Sequence, residues 1–235
     1  MPAASSGVAP PIPIAKEPLS YEHTASSGQR ANDAECREHN LNKQGTTMNQ
    51  HHILTVGISL ITNFAREHAC KPADALRRNV ELKKYLQKQP TQASAELNAL
   101  ESRTGFLSQK PANLAVTLAF TETPMGKTCA SLLEAFLKKH GVAVGKLPVR
   151  AADAPAQDYT PEFAAQEAAT ALRELRQCVT AHVARLQSKT PAPTIQFNAT
   201  GGFKAECAVL YELGRALRIP VYYLHESFKI AIELP

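Results

Sequence analysis

The chain has 235 residues, 44% of them hydrophobic and 20% charged, and a formal net charge of +5, enough to bury a full core in one or two domains. No apolar run is long enough to span a bilayer and no export-signal h-region follows the start. The basic residues are scattered along the chain, which argues against a duplex-binding face, while their modest excess favours a polyanionic ligand or partner. Five cysteines (Cys36, Cys70, Cys129, Cys178 and Cys207) are widely spaced with no C-x-x-C pair. Three of them fall in predicted helices, which suits reduced, buried thiols and a cytoplasmic setting.

Residues 1–47 begin Pro/Ala/Ser-rich and continue polar. Such a segment buries too little apolar surface to offset its ordering entropy and reads as a disordered extension. Met48, directly before the first strand-like run, is a candidate start of translation. The folded domain is expected over 48–235.

It opens with the β-branched run Ile53-Leu54-Thr55-Val56, followed by Gly57-Ile58-Ser59-Leu60-Ile61-Thr62-Asn63. A strand ending in glycine and a small hydroxyl residue is typical of the first βα turn of an open α/β sheet. Two helices are expected next, one over 72–89 with Pro72 at its first position, the other over 91–103. The second strand spans 113–120 and is followed by the loop Thr121-Glu122-Thr123-Pro124. A helix over 125–140 ends at Gly141, with lysines in its last turn. A third strand covers 142–149 and an Ala/Asp/Pro loop 150–159. Thr160-Pro161-Glu162 then supplies N-cap, N1 and N2 of a long helix to about residue 187.

The next unit carries the chemistry. Thr194-Ile195-Gln196-Phe197 reads as a buried strand. After Gly201-Gly202, residues Phe203, Cys207, Leu210, Gly214 and Leu217 recur at helical spacing, and Val221-Tyr222-Tyr223-Leu224 reads as the following parallel strand. Two glycines let backbone N–H groups approach a ligand closely and permit φ > 0. The helix behind them offers unpaired donors and the positive end of its dipole, which suits an anion. Lys204 sits in the first helical turn, where a cation is mildly unfavourable. Spacing alone leaves two readings open: an anion site with a functional lysine, or a tight turn beside a solvated one. Residues 228–234 alternate apolar with polar or small residues and read as an antiparallel edge strand.

Strands alternating with helices predict an α/β, doubly wound, mostly parallel sheet with helices on both faces. Ligands of such sheets bind at the carboxyl ends of the strands, at the switch in strand order. Ser59, Thr121-Glu122-Thr123, Asn198 to Lys204 and His225 belong there, a set suited to phosphate or nucleotide.

These segments resemble the CRISPR-associated Rossmann-fold (CARF) domains that bind cyclic oligoadenylates, and specifically the cyclic-oligoadenylate ring nucleases. The resemblance covers residues 48–235. It rests on Thr55-Val56-Gly57-Ile58-Ser59-Leu60, Thr121-Glu122-Thr123-Pro124-Met125-Gly126 and Asn198-Ala199-Thr200-Gly201-Gly202-Phe203-Lys204-Ala205-Glu206. Pro220-Val221-Tyr222-Tyr223-Leu224-His225-Glu226 and Ile230-Ala231-Ile232-Glu233-Leu234-Pro235 match as well. The Asn-x-Thr-Gly-Gly-Phe-Lys element is the specific one; Val-Gly-x-Ser alone is weak. The family's usual Ser-Asp-Thr-Pro loop is here Thr121-Glu122-Thr123-Pro124, a departure that bears on ring size and adenine contacts.

The resemblance implies a homodimer presenting a two-fold cradle to a cyclic oligoadenylate. It implies Ser59 and Lys204 as the catalytic pair, with Gly57, Ile58, Thr121, Glu122, Thr123, Asn198, Thr200, Gly201, Gly202 and Phe203 around the ligand. A ribose 2′-OH is a built-in nucleophile, so the protein need only align it and stabilise charge on the phosphoryl oxygens. No metal or other cofactor is required. The expected products are linear fragments ending in a 2′,3′-cyclic phosphate, formed slowly because no strong general base is evident. His225 and Glu226 are read as structural or solvated.

Other readings fail on spacing. Gly126-Lys127-Thr128 lacks the first P-loop glycine, since position 121 is Thr, and G-x-G-x-x-G is missing from every predicted βα turn. Arg176 and His182 have the spacing of a HEPN ribonuclease but lie on one amphipathic helix. His51-His52 lack a carboxylate or cysteine partner for a metal. A non-catalytic sensor that binds the ring and signals to a partner remains the alternative.

Overall fold

The computed structural model describes residues 49–110, 112–150, 160–225 and 227–235. The extension expected over 1–47, the proposed start at Met48, Cys36, the loop at 151–159 and Glu226 lie outside the described residues. Six strands form one sheet: β1 (Gln50–Val56), β2 (Leu114–Thr121), β3 (Ala143–Val149), β4 (Thr194–Asn198), β5 (Val221–Leu224) and β6 (Ala231–Glu233). Their order is β3-β2-β1-β4-β5-β6, parallel throughout except for antiparallel β6 on β5. This is the doubly wound order with its switch between β1 and β4.

The alternation along β1 explains why both faces are covered. Leu54 and Val56 join Val116, Leu118 and Phe120 in a core shared with the helices that precede β3. Ile53, one residue out of phase, joins Ile195, Phe197 and Val221 against the two helices that follow β3. Those helices are α1 (Ser59–Glu67), α2 (Pro72–Leu76), α3 (Asn79–Lys88), α4 (Pro90–Ala93), α5 (Ala95–Thr104) and α6 (Pro124–Lys139) on the first face. On the second lie α7 (Pro161–Gln187) and α8 (Lys204–Leu217). Pro148 falls in β3, an edge strand, where a missing ladder donor is tolerated.

Three local expectations need correction. Between β1 and β2 the chain forms five helical segments instead of two. Ser59 opens α1, whose buried Leu60, Ile61, Phe64 and Ala65 line one face, so the apolar run after Gly57 is the start of a helix. The helix expected over 72–89 breaks between α2 and α3, and that expected over 91–103 breaks at Ser94, which is extended (φ −129°, ψ 125°) and caps α5 by accepting from the Leu97 N–H at 3.3 Å. At the C-terminus, pairing covers only Ala231–Glu233, and Phe228 and Ile230 are exposed. Elsewhere the boundaries agree within three residues, and Gly141 takes the left-handed φ of +80° expected after a helix.

Candidate functional site

The carboxyl ends of β1 and β4 meet at the switch point. A Cβ built on Gly57 would lie 2.6 Å from the Gly202 backbone nitrogen, so the two loops touch backbone to backbone. Ser59 follows Gly57 by two residues and Lys204 follows Gly202 by two. Two residues of chain span at most about 7 Å, so Ser59 and Lys204 each lie within that reach of the contact.

The glycines of the second loop have separate reasons to be glycine. At Gly201 a Cβ would fall 2.1 Å from Glu96 Oε1 and 2.6 Å from the Thr55 carbonyl oxygen. At Gly202 it would fall 2.5 Å from Glu206 Oε2, and the backbone there has φ +89°. Two buried carboxylates therefore back this turn, Glu206 from the end of the glycine motif and Glu96 from outside it. Glu206 accepts the Phe203 N–H at 3.1 Å, satisfying one orphan donor of α8. The Gly201 carbonyl accepts from the Thr55 hydroxyl and from Cys207 Sγ at 3.2 Å. In a trans peptide this turns the Gly202 N–H the opposite way. Burial pushes the Cys207 thiol up from its ordinary range, so it acts as a donor.

Glu96, the second residue of α5, is 1% exposed. It accepts the Gly57 N–H at 2.8 Å, the Ser59 hydroxyl at 2.8 Å and the Ser94 hydroxyl at 2.6 Å. Its backbone carbonyl takes Asn198 Nδ2 at 3.3 Å, while Asn198 Oδ1 accepts the Thr200 N–H at 3.1 Å. Asn198 is thus buried and engaged on both ends of its amide. The Thr200 hydroxyl in turn accepts the Leu224 N–H at 3.0 Å, tying the glycine loop to the end of β5.

A cleft of about 1050 Å³ opens on this side, between α1, α4, α5 and the loops that follow β4 and β5. Ser59, Ala199, Thr200 and His225 line it, as do Arg66 and Lys229, and no carboxylate stands among the described lining residues. Arg66 donates to Asn63 Oδ1 at 3.0 Å, and the Asn63 amide is anchored on the carbonyls of Gln92 and Ala93. The rim therefore carries a cation on a rigid mount.

The expected site residues divide. Ser59 and Thr200 line the cleft, whereas Gly57, Gly201 and Gly202 meet at the loop contact and are not among its lining residues. Lys204 is exposed on the first turn of α8, outside the cleft lining, beside the half-exposed ring of Phe203 (42%). Ile58 is the N-cap position of α1 but offers no side-chain cap. Thr121, Glu122 and Thr123 lie at the neighbouring β2–α6 turn, also outside the cleft lining. There Thr123 caps α6 by accepting the Gly126 N–H at 3.0 Å, and Glu122 pairs with Lys127 at 3.6 Å, both side chains exposed. Glu96 and Arg66 are what the sequence reading missed. Ser94 as a helix N-cap was a legible signal for the start of α5, but nothing in the sequence ties residue 96 to residue 59.

Among the described residues no group of three or more His, Cys, Asp or Glu is placed to hold a metal ion, and no helix is long and apolar enough to cross a membrane. His51 and His52 do not face the site. His51 bonds Thr117, which also bonds His182 of α7, each at 2.8 Å, and His52 Nδ1 bonds the Tyr222 hydroxyl at 2.9 Å. Arg176 pairs with Glu212 of α8, while His182 faces the sheet.

Residues 91–235 match a family model described as CRISPR-associated protein (Cas_APE2256). No curated protein matches the sequence. Solved structures similar to this chain include two at low identity. Protein VC1899 from Vibrio cholerae is 10% identical with a TM-score of 0.46, over 79% of this chain and 33% of that one. Can2 from Sulfobacillus thermosulfidooxidans, in complex with cyclic tetra-adenylate, is 9% identical with a TM-score of 0.44, over 79% and 35%. The chain spans about a third of the length of each, and at these scores neither carries functional weight.

Proposed function

This chain belongs to the CRISPR-associated protein family matched over residues 91–235, and from that premise we propose that it is a ring nuclease. It opens cyclic oligoadenylate, with cyclic tetra-adenylate the first ring to test, and so switches off type III CRISPR signalling. The observation that supports this most is the backbone contact between Gly57 and Gly202 at the switch point, beside a cleft that Ser59 lines together with Arg66 and Lys229. A ring of phosphodiesters is polyanionic, and the two cations among the described lining residues, Arg66 and Lys229, suit it.

The chemistry asks little of the protein. The 2′-OH attacks the adjacent phosphorus, the 5′-oxygen departs, and a 2′,3′-cyclic phosphate remains. Lys204 and the first-turn amides of α8 stabilise the charge that grows on the phosphoryl oxygens. Ser59 aligns the nucleophile. Two copies of the chain, related by a two-fold axis, would present two such sites to one symmetric ring.

One observation favours the alternative, a sensor that binds the ring without cutting it: Lys204 stands outside the lining of the cleft that holds Ser59. Incubating the full chain with cyclic tetra- and hexa-adenylate in EDTA, with binding measured in parallel, separates the two. Ring opening that falls at least about 100-fold in Lys204→Ala and in Ser59→Ala, with binding retained in Ser59→Ala, supports the nuclease. Binding with an intact ring supports the sensor, and no binding overturns both.

A further inference from the structure

The hydrogen bonds around Ser59 fix what its hydroxyl can offer a ligand. A serine hydroxyl has one proton and two lone pairs. Here the proton goes to Glu96 Oε2 at 2.8 Å, and one lone pair takes the Ala95 N–H at 3.2 Å. What remains toward the cleft is a single acceptor site. A phosphate oxygen has no proton to give to it, whereas a ribose hydroxyl does.

We propose that Ser59 engages the attacking 2′-hydroxyl and not the phosphate, and that Glu96 is the positioning residue behind it that takes up the serine proton. This rests on the ring-nuclease reading and supplies the general base that reading lacks. As the 2′-oxygen bonds to phosphorus, its proton passes to Ser59 Oγ and the serine proton passes to Glu96. The P–O5′ bond breaks and the 5′-oxygen takes a proton from the Lys204 ammonium. The proton on Glu96 then returns through Ser59 and solvent to the lysine. No water is consumed and no charge is left over, because ring opening by an internal hydroxyl is an isomerisation.

The surroundings of Glu96 fit this role. Ser94 and the Gly57 N–H, its other two donors, hold the carboxylate at 2.6 and 2.8 Å, so it cannot swing away from Ser59. Gly201 lacks a side chain just where a Cβ would strike Oε1. Glu96 is 1% exposed, and Ser59, which is hydrogen-bonded to it, lines the cleft.

The test is single-turnover cleavage of cyclic tetra-adenylate by the full chain in EDTA, beside binding of a ring whose 2′-hydroxyls are methylated. The expected result for Glu96→Gln is a rate loss of about 100-fold or more, the size of a general-base effect. Affinity for the methylated ring should stay within threefold and the thermal midpoint within a few degrees. Ser59→Ala should lose as much, and the double variant should be no slower than the worse single one, since the two residues act as a unit. If Glu96→Gln does not fold, wild-type cleavage in D₂O gives the answer: a relay with two protons in flight slows at least twofold. Cleavage by Glu96→Gln within threefold of wild type, losses that multiply in the double variant, or a rate unchanged in D₂O overturns the relay alone. A wild-type chain that leaves the ring intact overturns the nuclease reading and the relay with it.

Discussion

A methyl group added at Gly201 would land 2.1 Å from a buried carboxylate oxygen and 2.6 Å from a strand carbonyl, so neither neighbour yields cheaply. Gly201→Ala is expected to cost about 2–3 kcal/mol in urea denaturation and to abolish ring opening. Gly145→Ala, whose Cβ would stand 3.5 Å from Thr117 Oγ1 with no positive φ, should stay within about 0.5 kcal/mol. Charge at buried residues gives a second expectation. Burial first, then neighbouring cations and histidines, lowers His51 to about 4 and His52 to about 3. Both are therefore neutral when folded at pH 5, whereas the unfolded chain protonates them below about 6.5. Stability from this source is full above pH 6.5 and falls as pH drops toward 4, by about 1.4 kcal/mol per pH unit for each histidine. Urea midpoints between pH 7 and 5 should show that fall, and His52→Gln should remove roughly half of it; an unchanged slope would contradict the assignment. At this scale the left-handed turn at Gly202 was legible in the sequence, because a Gly-Gly pair before a helix has a local meaning. It concealed Glu96, whose partner is 37 residues away and found only by folding.

At the scale of elements, α8 and α1 meet the site with their N-termini, and each begins within two residues of a loop glycine. The long helices were legible because caps and periodicity agree: Thr160 before Pro161 accepts the Phe163 N–H at 3.3 Å, as an N-cap should. The segment between β1 and β2 was not. Its helices are short, and Leu60 and Ile61 continue the apolar character of β1, so helical and strand periods cannot be told apart over so few residues. The β2–α6 turn is held by Thr123, and Thr123→Ala should cost about 1 kcal/mol in the same denaturation assay. Because Glu122 is exposed and its ion pair with Lys127 is exposed on both sides, Glu122→Gln should leave stability within about 0.5 kcal/mol. It reports instead on the ring: a changed preference between tetra- and hexa-adenylate would assign this turn to ligand contact.

For the molecule as a whole, the alternation of strands and helices predicted the doubly wound sheet, and the order β3-β2-β1-β4-β5-β6 places the switch beside the glycine loops. Strand order itself was not readable, since pairing partners lie far apart in sequence; only the rule that ligands gather at the switch connected the motifs. The cleft adds what no motif carried, a cation on a fixed mount. Arg66→Ala should weaken cyclic tetra-adenylate binding about tenfold at low salt, with a smaller effect at high salt, when followed by titration. Mass spectrometry of the first product formed in ¹⁸O-labelled water shows whether the ring is opened by its own hydroxyl. A linear product with the mass of the ring and no ¹⁸O is the expected result; a product heavier by one labelled water would mean that water, not the 2′-hydroxyl, opens the ring.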